Sequence, residues 1–144
     1  MKFSSAFVVL AGLIVPGALS TSVTYDQTYD NADGQMTSVA CSNGMNGIIS
    51  RYGYTKFSQL PTFPYIGGAA AVTGWNSPKC GSCWQLTFND GTQKRTINVT
   101  AIDYAANGFN IGLKAMDKLT NGNGVQYGVV DVTATELPAK ACGL

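Results

Sequence analysis

The 144-residue chain contains no histidine. That excludes every mechanism in which an imidazole deprotonates a Cys or Ser nucleophile. The absence decides how to read "CGSCW", Cys80 to Trp84, which matches the local signature of a papain-type nucleophile. Charge is also scarce, at 12% Asp, Glu, Lys and Arg. There is no run of like charge, so a polyanion such as nucleic acid or an anionic membrane surface is not the expected partner. The apolar run near the start is too short to span a membrane, and nothing later is apolar enough to do so. No Gly-rich phosphate loop follows a strand, and no acids or cysteines cluster at metal-ligand spacing. No cofactor or metal is therefore expected. Nothing looks like a linker or a long repeat.

What is present begins with Met1-Lys2 and an apolar run from Ala6 to Val15, closed by Pro16-Gly17-Ala18-Leu19-Ser20. A short positive start, a short apolar stretch and small residues at Ala18 and Ser20 predict a secretory signal peptide over residues 1–20, cleaved after Ser20. Residues 21–144 then form one domain with one core. Without Lys2, the nine Lys and Arg fall to eight, against eight Asp and Glu. A nearly neutral exported chain suits a neutral polar partner.

The four cysteines are Cys41, Cys80, Cys83 and Cys142. An oxidising destination favours disulfides over zinc. A thioredoxin-like site would leave Cys41 and Cys142 unexplained. A bond within Cys80-Gly81-Ser82-Cys83 would close a tiny, strained loop. Cys80 and Cys83 therefore reach in different directions, to Cys41 and Cys142. Each bridge closes a loop of about 40 to 60 residues, worth roughly 4 kcal/mol of loop-closure entropy.

Period-two alternation predicts strands at Cys83–Phe88, Thr96–Ile102 and Gly128–Thr135, and Ser22–Tyr25 is a fourth candidate strand. Trp84, Leu86 and Phe88 share one face, as do Ile97, Val99 and Ala101, and Val130, Val132 and Ala134. Asn89-Asp90-Gly91-Thr92 signals a hairpin. One helix is predicted with Asn110 as its cap, Leu113, Met116 and Leu119 on its inner face, and a stop at Thr120–Gly124. A weaker helix is predicted over Met45–Tyr52. Seventeen glycines point to tight turns and close crossings. The expected fold is mainly β with short helices, a barrel or sandwich stapled by two disulfides.

Several stretches together carry a resemblance: "VTYDQTYD" from Val23, "CSNGMNG" from Cys41, "SPKCGSCWQL" from Ser77, and "NVTAIDYAANGFNIGLKAMDKLT" from Asn98, with Cys142 near the end. In this order and spacing the chain from residue 21 resembles the cerato-platanin family of small secreted fungal proteins. The resemblance implies a single six-stranded double-psi β-barrel, as in expansin-like and barwin-like domains. It implies the pairing Cys41–Cys80 and Cys83–Cys142. It also implies a non-enzymatic protein of the cell wall or culture fluid that binds chitin or N-acetylglucosamine oligomers, loosens wall polysaccharide in an expansin-like way, and elicits plant defence. A plant cell-surface receptor is an implied further partner. The resemblance also implies that some members self-assemble at surfaces; the expected state here is a monomer, with self-assembly as the alternative.

Candidate carbohydrate contacts follow. Asp103 ends an alternating strand before a loop containing Asn107, and expansin-like domains hold an Asp at the matching place in the sugar groove. Its other reading is a loop cap accepting backbone N–H groups. Asn110 stands where such domains tend to carry a second acid. As an amide it can bond hydroxyls but cannot transfer a proton. Tyr25 and Asp26 combine an aromatic face with a carboxylate, and Ser82 lies beside the half-cystines. Trp75, in a Gly-Trp-Asn-Ser-Pro loop, is the more exposed tryptophan by pattern, and Trp84 the more buried. Asn98-Val99-Thr100 is an N-glycosylation sequon in mid-strand. Two rival functions remain open. One is a weak inverting glycosidase using Asp103 with Asp26 or Asp30. The other is a surface-assembling elicitor with no sugar role.

Overall fold

The computed structural model describes residues 17–144, so most of the expected leader, residues 1–16, lies outside the described residues. The strands are β1 (Ala18–Tyr25), β2 (Ile66–Ala69), β3 (Cys83–Asn89), β4 (Lys94–Tyr104), β5 (Phe109–Ile111) and β6 (Val129–Leu137). They close a barrel in the order β1-β5-β2-β4-β3-β6, the double-psi architecture that the resemblance implies. Two neighbouring pairs, β1 with β5 and β2 with β4, are parallel, and the other four are antiparallel. Closure leaves no open edge to aggregate. Ala18–Ser20, assigned to the leader on the sequence, extend β1 against Thr133–Thr135 of β6. Cleavage after Ser20 would shorten β1 to Thr21–Tyr25.

The alternation works as expected in β4 and β6: Ile97, Val99 and Ala101, and Val130, Val132 and Ala134, are all buried. In β3, Trp84 and Leu86 join them. Phe88 departs from the expected face pattern by standing half-buried at the rim, its ring 6.3 Å from Tyr127. Cys83 and Thr100, on the outward face, are buried too. A 3-10 turn at Ala139–Cys142 packs over that face and the Cys83–Cys142 bridge ties it down. The other bridge is Cys41–Cys80, and the Cα separations are 5.3 and 5.6 Å. The pairing implied by the resemblance is the one observed.

Two strands escaped the pattern. In β2, Ile-Gly-Gly-Ala is buried throughout, so no polar alternation marks it. Its glycines permit close strand crossing: a Cβ at Gly67 would overlap the Asn110 carbonyl, and one at Gly68 would lie 2.7 Å from the Tyr104 carbonyl. Ala at Gly67 would push β2 from its antiparallel neighbour β5, and Ala at Gly68 would push it from its parallel neighbour β4. The other, β5, has only three residues.

Among the described residues, three α-helices flank the strands: α1 (Ile48–Tyr52), α2 (Leu113–Thr120) and α3 (Gly124–Tyr127). The weaker predicted helix survives as α1, starting after Gly47. The cap of α2 is not the Asn110 that the sequence predicts. Asn110 lies in β5, and Gly112 holds the cap position with no side chain to offer. The orphan amides are instead met from a distance. The Asp30 carboxylate accepts from Leu113 N–H at 2.9 Å and Lys114 N–H at 3.0 Å. A negative charge there also complements the helix dipole. No described helix is long and apolar enough to cross a membrane.

Candidate functional site

At one end of the barrel, the turn Ala105–Gly108 between β4 and β5 folds back over β1. It needs glycine: Gly108 has φ +47°, and a Cβ would run into the Ser22 carbonyl. Parallel pairing sets Thr24 opposite Asn110, and the Thr24 hydroxyl donates to Asn110 Oδ1 at 3.0 Å. Between turn and strand lies an open groove of about 430 Å³, lined by Ser22, Thr24, Tyr104, Ala105, Ala106, Asn107 and Asn110. Its polar lining is hydroxyls and amides, with no charged side chain. Tyr104 is 53% exposed and offers its ring to solvent.

Asp103 lies immediately behind. Its Oδ1 accepts from Ala40 N–H at 3.0 Å and Tyr104 N–H at 2.9 Å, and its Oδ2 accepts from the Tyr29 hydroxyl at 2.9 Å. Three protein donors thus converge on one carboxylate, the loop-cap arrangement. The residue holds the segment after Val39 against the end of β4 and fixes the start of the Tyr104–Gly108 turn.

Tyr29 is 5% exposed. Burial first, then the Asp103 charge and the hydrogen bond to it, with a smaller push from Asp26, raise its hydroxyl far above the usual phenol pKa. The folded value exceeds the unfolded one, near 10, so the associated stability is complete below about pH 10 and is lost as pH rises beyond it. The slope is about 1.4 kcal/mol per pH unit for one proton. Melting temperature should hold from pH 8 to about 10 and then fall, and Tyr29→Phe should flatten the fall. An equal alkaline fall in Tyr29→Phe would disprove the assignment.

The other expected contacts scatter. Asp26 caps a 3-10 turn at Gln27–Asp30, accepting from Thr28 N–H at 2.8 Å. Tyr25 packs against the core. Ser82 accepts from the Trp84 indole N–H at 2.9 Å and lines a separate hollow of about 270 Å³ beside the Lys79–Glu136 ion pair. Trp84 is 7% exposed, edge-on to Phe109 with centroids 5.4 Å apart. Asn98 stands opposite Gln85 in mid-strand, and its sequon partner Thr100 is buried with its hydroxyl 2.7 Å from that of Thr62. Of the expected sugar contacts, the groove thus brings together only Asn107 and Asn110. The sequence reading missed Ser22, Thr24 and Tyr104. Tyr104 had a signal, an aromatic at the mouth of a loop after a strand. The other two depend on pairing across 86 residues of sequence. Among the described residues, no group of three or more His, Cys, Asp or Glu could hold a metal.

The chain is thus a doubly stapled, closed six-stranded barrel with an open groove of uncharged lining at one end. By its sequence the chain belongs to the cerato-platanin family, whose model matches residues 21–144. It is 41% identical over 150 residues to the heat-stable 19 kDa antigen of Coccidioides immitis (strain RS), covering 100% of this chain and 99% of that protein. Its fold matches the crystal structure of cerato-platanin 2 from M. perniciosa with a TM-score of 0.84 at 45% identity, over 88% of this chain and 100% of that one. It also matches the solution structure of the fungal elicitor Cerato-Platanin, with a TM-score of 0.73 at 35% identity, over 84% and 95% of the two chains.

Proposed function

We propose that this is a secreted, non-catalytic protein that binds chitin-type oligosaccharides in the Ser22–Tyr104–Asn107–Asn110 groove, and that it acts on plants as an elicitor. The observation that carries the sugar reading is the groove's lining: amides, hydroxyls and one exposed tyrosine ring, without charge. Neutral donors and acceptors suit sugar hydroxyls and N-acetyl groups, and the ring suits a pyranose C–H face. Export is supported by the basic, apolar, small-residue start and by two disulfides, which persist in oxidising surroundings. The elicitor role rests on the relative described as a fungal elicitor.

Affinity is modest, because each hydrogen bond to sugar replaces one to water. Loosening of a wall needs no turnover: the groove competes with bonds between polysaccharide chains. Inverting hydrolysis would need two carboxyls across the scissile bond. No acid is among the groove-lining residues, and Asp26 and Asp30 are engaged at helix and turn N-termini. Asn107→Ala or Tyr104→Ala should weaken binding of an N-acetylglucosamine hexamer about three- to ten-fold, read by calorimetry. The same incubations should release no new reducing ends. Unchanged affinity in both variants would refute the groove.

A further inference from the structure

We propose a second glycan subsite, an aromatic platform centred on Trp75. The inference rests on the reading that the chain binds neutral sugars, and it adds a surface the groove does not include. Trp75 is 64% exposed, against 7% for Trp84. A single exposed apolar side chain is ordinary. What sets this one apart is that it is held. Its indole N–H donates to Asn43 Oδ1 at 2.7 Å, so the ring is fixed from the loop across from its own.

That facing loop, Cys41–Gly47, is locked to the Trp75 loop by further contacts. Asn76 Oδ1 accepts from Asn46 N–H at 2.9 Å, and the Asn76 carbonyl accepts from Asn46 Nδ2 at 3.0 Å. Asn76 adopts φ +59°, a left-handed conformation uncommon for a residue with a Cβ and typical of sites that must hold a shape. Gly44 lies so close that a Cβ there would sit 3.0 Å from Trp75 Cζ2. The Cys41–Cys80 disulfide ties the start of one loop to the segment that follows the other. Met45, 84% exposed, stands at the tip of the facing loop.

The chemistry selects the occupant. Residues 41–47 and 72–78 contain no Asp, Glu, Lys or Arg, so neither loop attracts a charged peptide or phosphate. Each offers amide groups beside the ring: Nδ2 of Asn43 and of Asn76 has no protein acceptor among the described residues. A flat apolar ring flanked by neutral amide donors fits a hexopyranose. Its C–H face lies on the indole, and its hydroxyl and carbonyl oxygens accept from the amides. Because the ring is held before binding, little side-chain freedom is lost on contact.

The test compares five proteins: wild type, Trp75→Ala, Trp75→Phe and the groove variants Asn107→Ala and Tyr104→Ala. Each is titrated with N-acetylglucosamine hexamer by calorimetry and sedimented with insoluble chitin. Melting temperature verifies that each is folded. Trp75→Ala should weaken binding about ten-fold, with Trp75→Phe recovering part of it. In wild type, hexamer should shield the fluorescence from acrylamide, and the shielding should vanish in Trp75→Phe, because Trp84 is buried. Loss in Trp75→Ala keeps the platform, and if neither Asn107→Ala nor Tyr104→Ala loses affinity the groove is refuted while the platform stands. Wild-type affinity in folded Trp75→Ala, with loss in Asn107→Ala, overturns the platform and leaves the groove standing. No binding by wild type overturns both.

Discussion

Reduction of both disulfides should remove about 8 kcal/mol of stability and leave the domain unfolded or nearly so at ordinary temperature. The bridges join residues 39 and 59 apart in sequence. Loop-closure entropy assigns about 4 kcal/mol to each, and a domain's whole stability is about 5–15 kcal/mol. The two bridges also do different mechanical work. Cys41–Cys80 pins the loop leading into α1 beside the start of β3. Cys83–Cys142 pins the C-terminal turn over the outward face of β3 and β4. All four half-cystines are buried, so reductant reaches them only through opening of the fold. The check is thermal unfolding of protein reduced and thiol-blocked under denaturant, against the oxidised form. A reduced protein melting within a few degrees of the oxidised one would contradict the estimate.

The second large effect is expected at Asp103. Asp103→Ala leaves Ala40 N–H, Tyr104 N–H and the Tyr29 hydroxyl without their acceptor. At roughly 1–3 kcal/mol for each buried donor left unmet, and with water reaching some of this half-buried site, the cost should be about 2–4 kcal/mol. Asp103→Asn keeps an oxygen for the two amides, and its Nδ2 can donate to the Tyr29 oxygen, so it should cost about 1 kcal/mol or less. Sugar affinity separates positioning from contact. If Asp103 acts by holding Tyr104 and the turn, the Asn variant binds like wild type and the Ala variant binds worse. Loss of affinity in a fully folded Asn variant would instead place the charge in contact with sugar, the other reading of the sequence.

How much of this was legible beforehand depended on the range of the interaction. The strands β1, β3, β4 and β6 announce themselves because one face of each packs inward, and alternation is a local property. The strand β2 does not, because it is buried on both sides and uses glycine for close approach. Nor does β5, at three residues. The helix α2 was legible from Leu113, Met116 and Leu119, yet its cap was not. Local rules look for a capping side chain just before the helix, and here Asp30 reaches it from 83 residues away. The same limit governed the groove. Asn107 and Asn110 were visible in a loop rich in polar residues. Their partners Ser22 and Thr24 join them only through the parallel pairing of β1 with β5, which leaves no trace in either segment alone. The order of the cysteine pairs came from the resemblance, not from spacing.

On the function proposed above, the uncharged groove at the turn end of the barrel binds N-acetylglucosamine oligomers. This binding is tested most directly by titrating isotope-labelled protein with the hexamer and following backbone amide and indole shifts. Saturable shifts are expected at Ser22, Thr24, Tyr104, Asn107 and Asn110, with the Trp75 indole N–H moving as well and the Trp84 indole N–H still. Absence of any shift at millimolar hexamer, or shifts confined to Ser82 and the Lys79–Glu136 hollow, would contradict it.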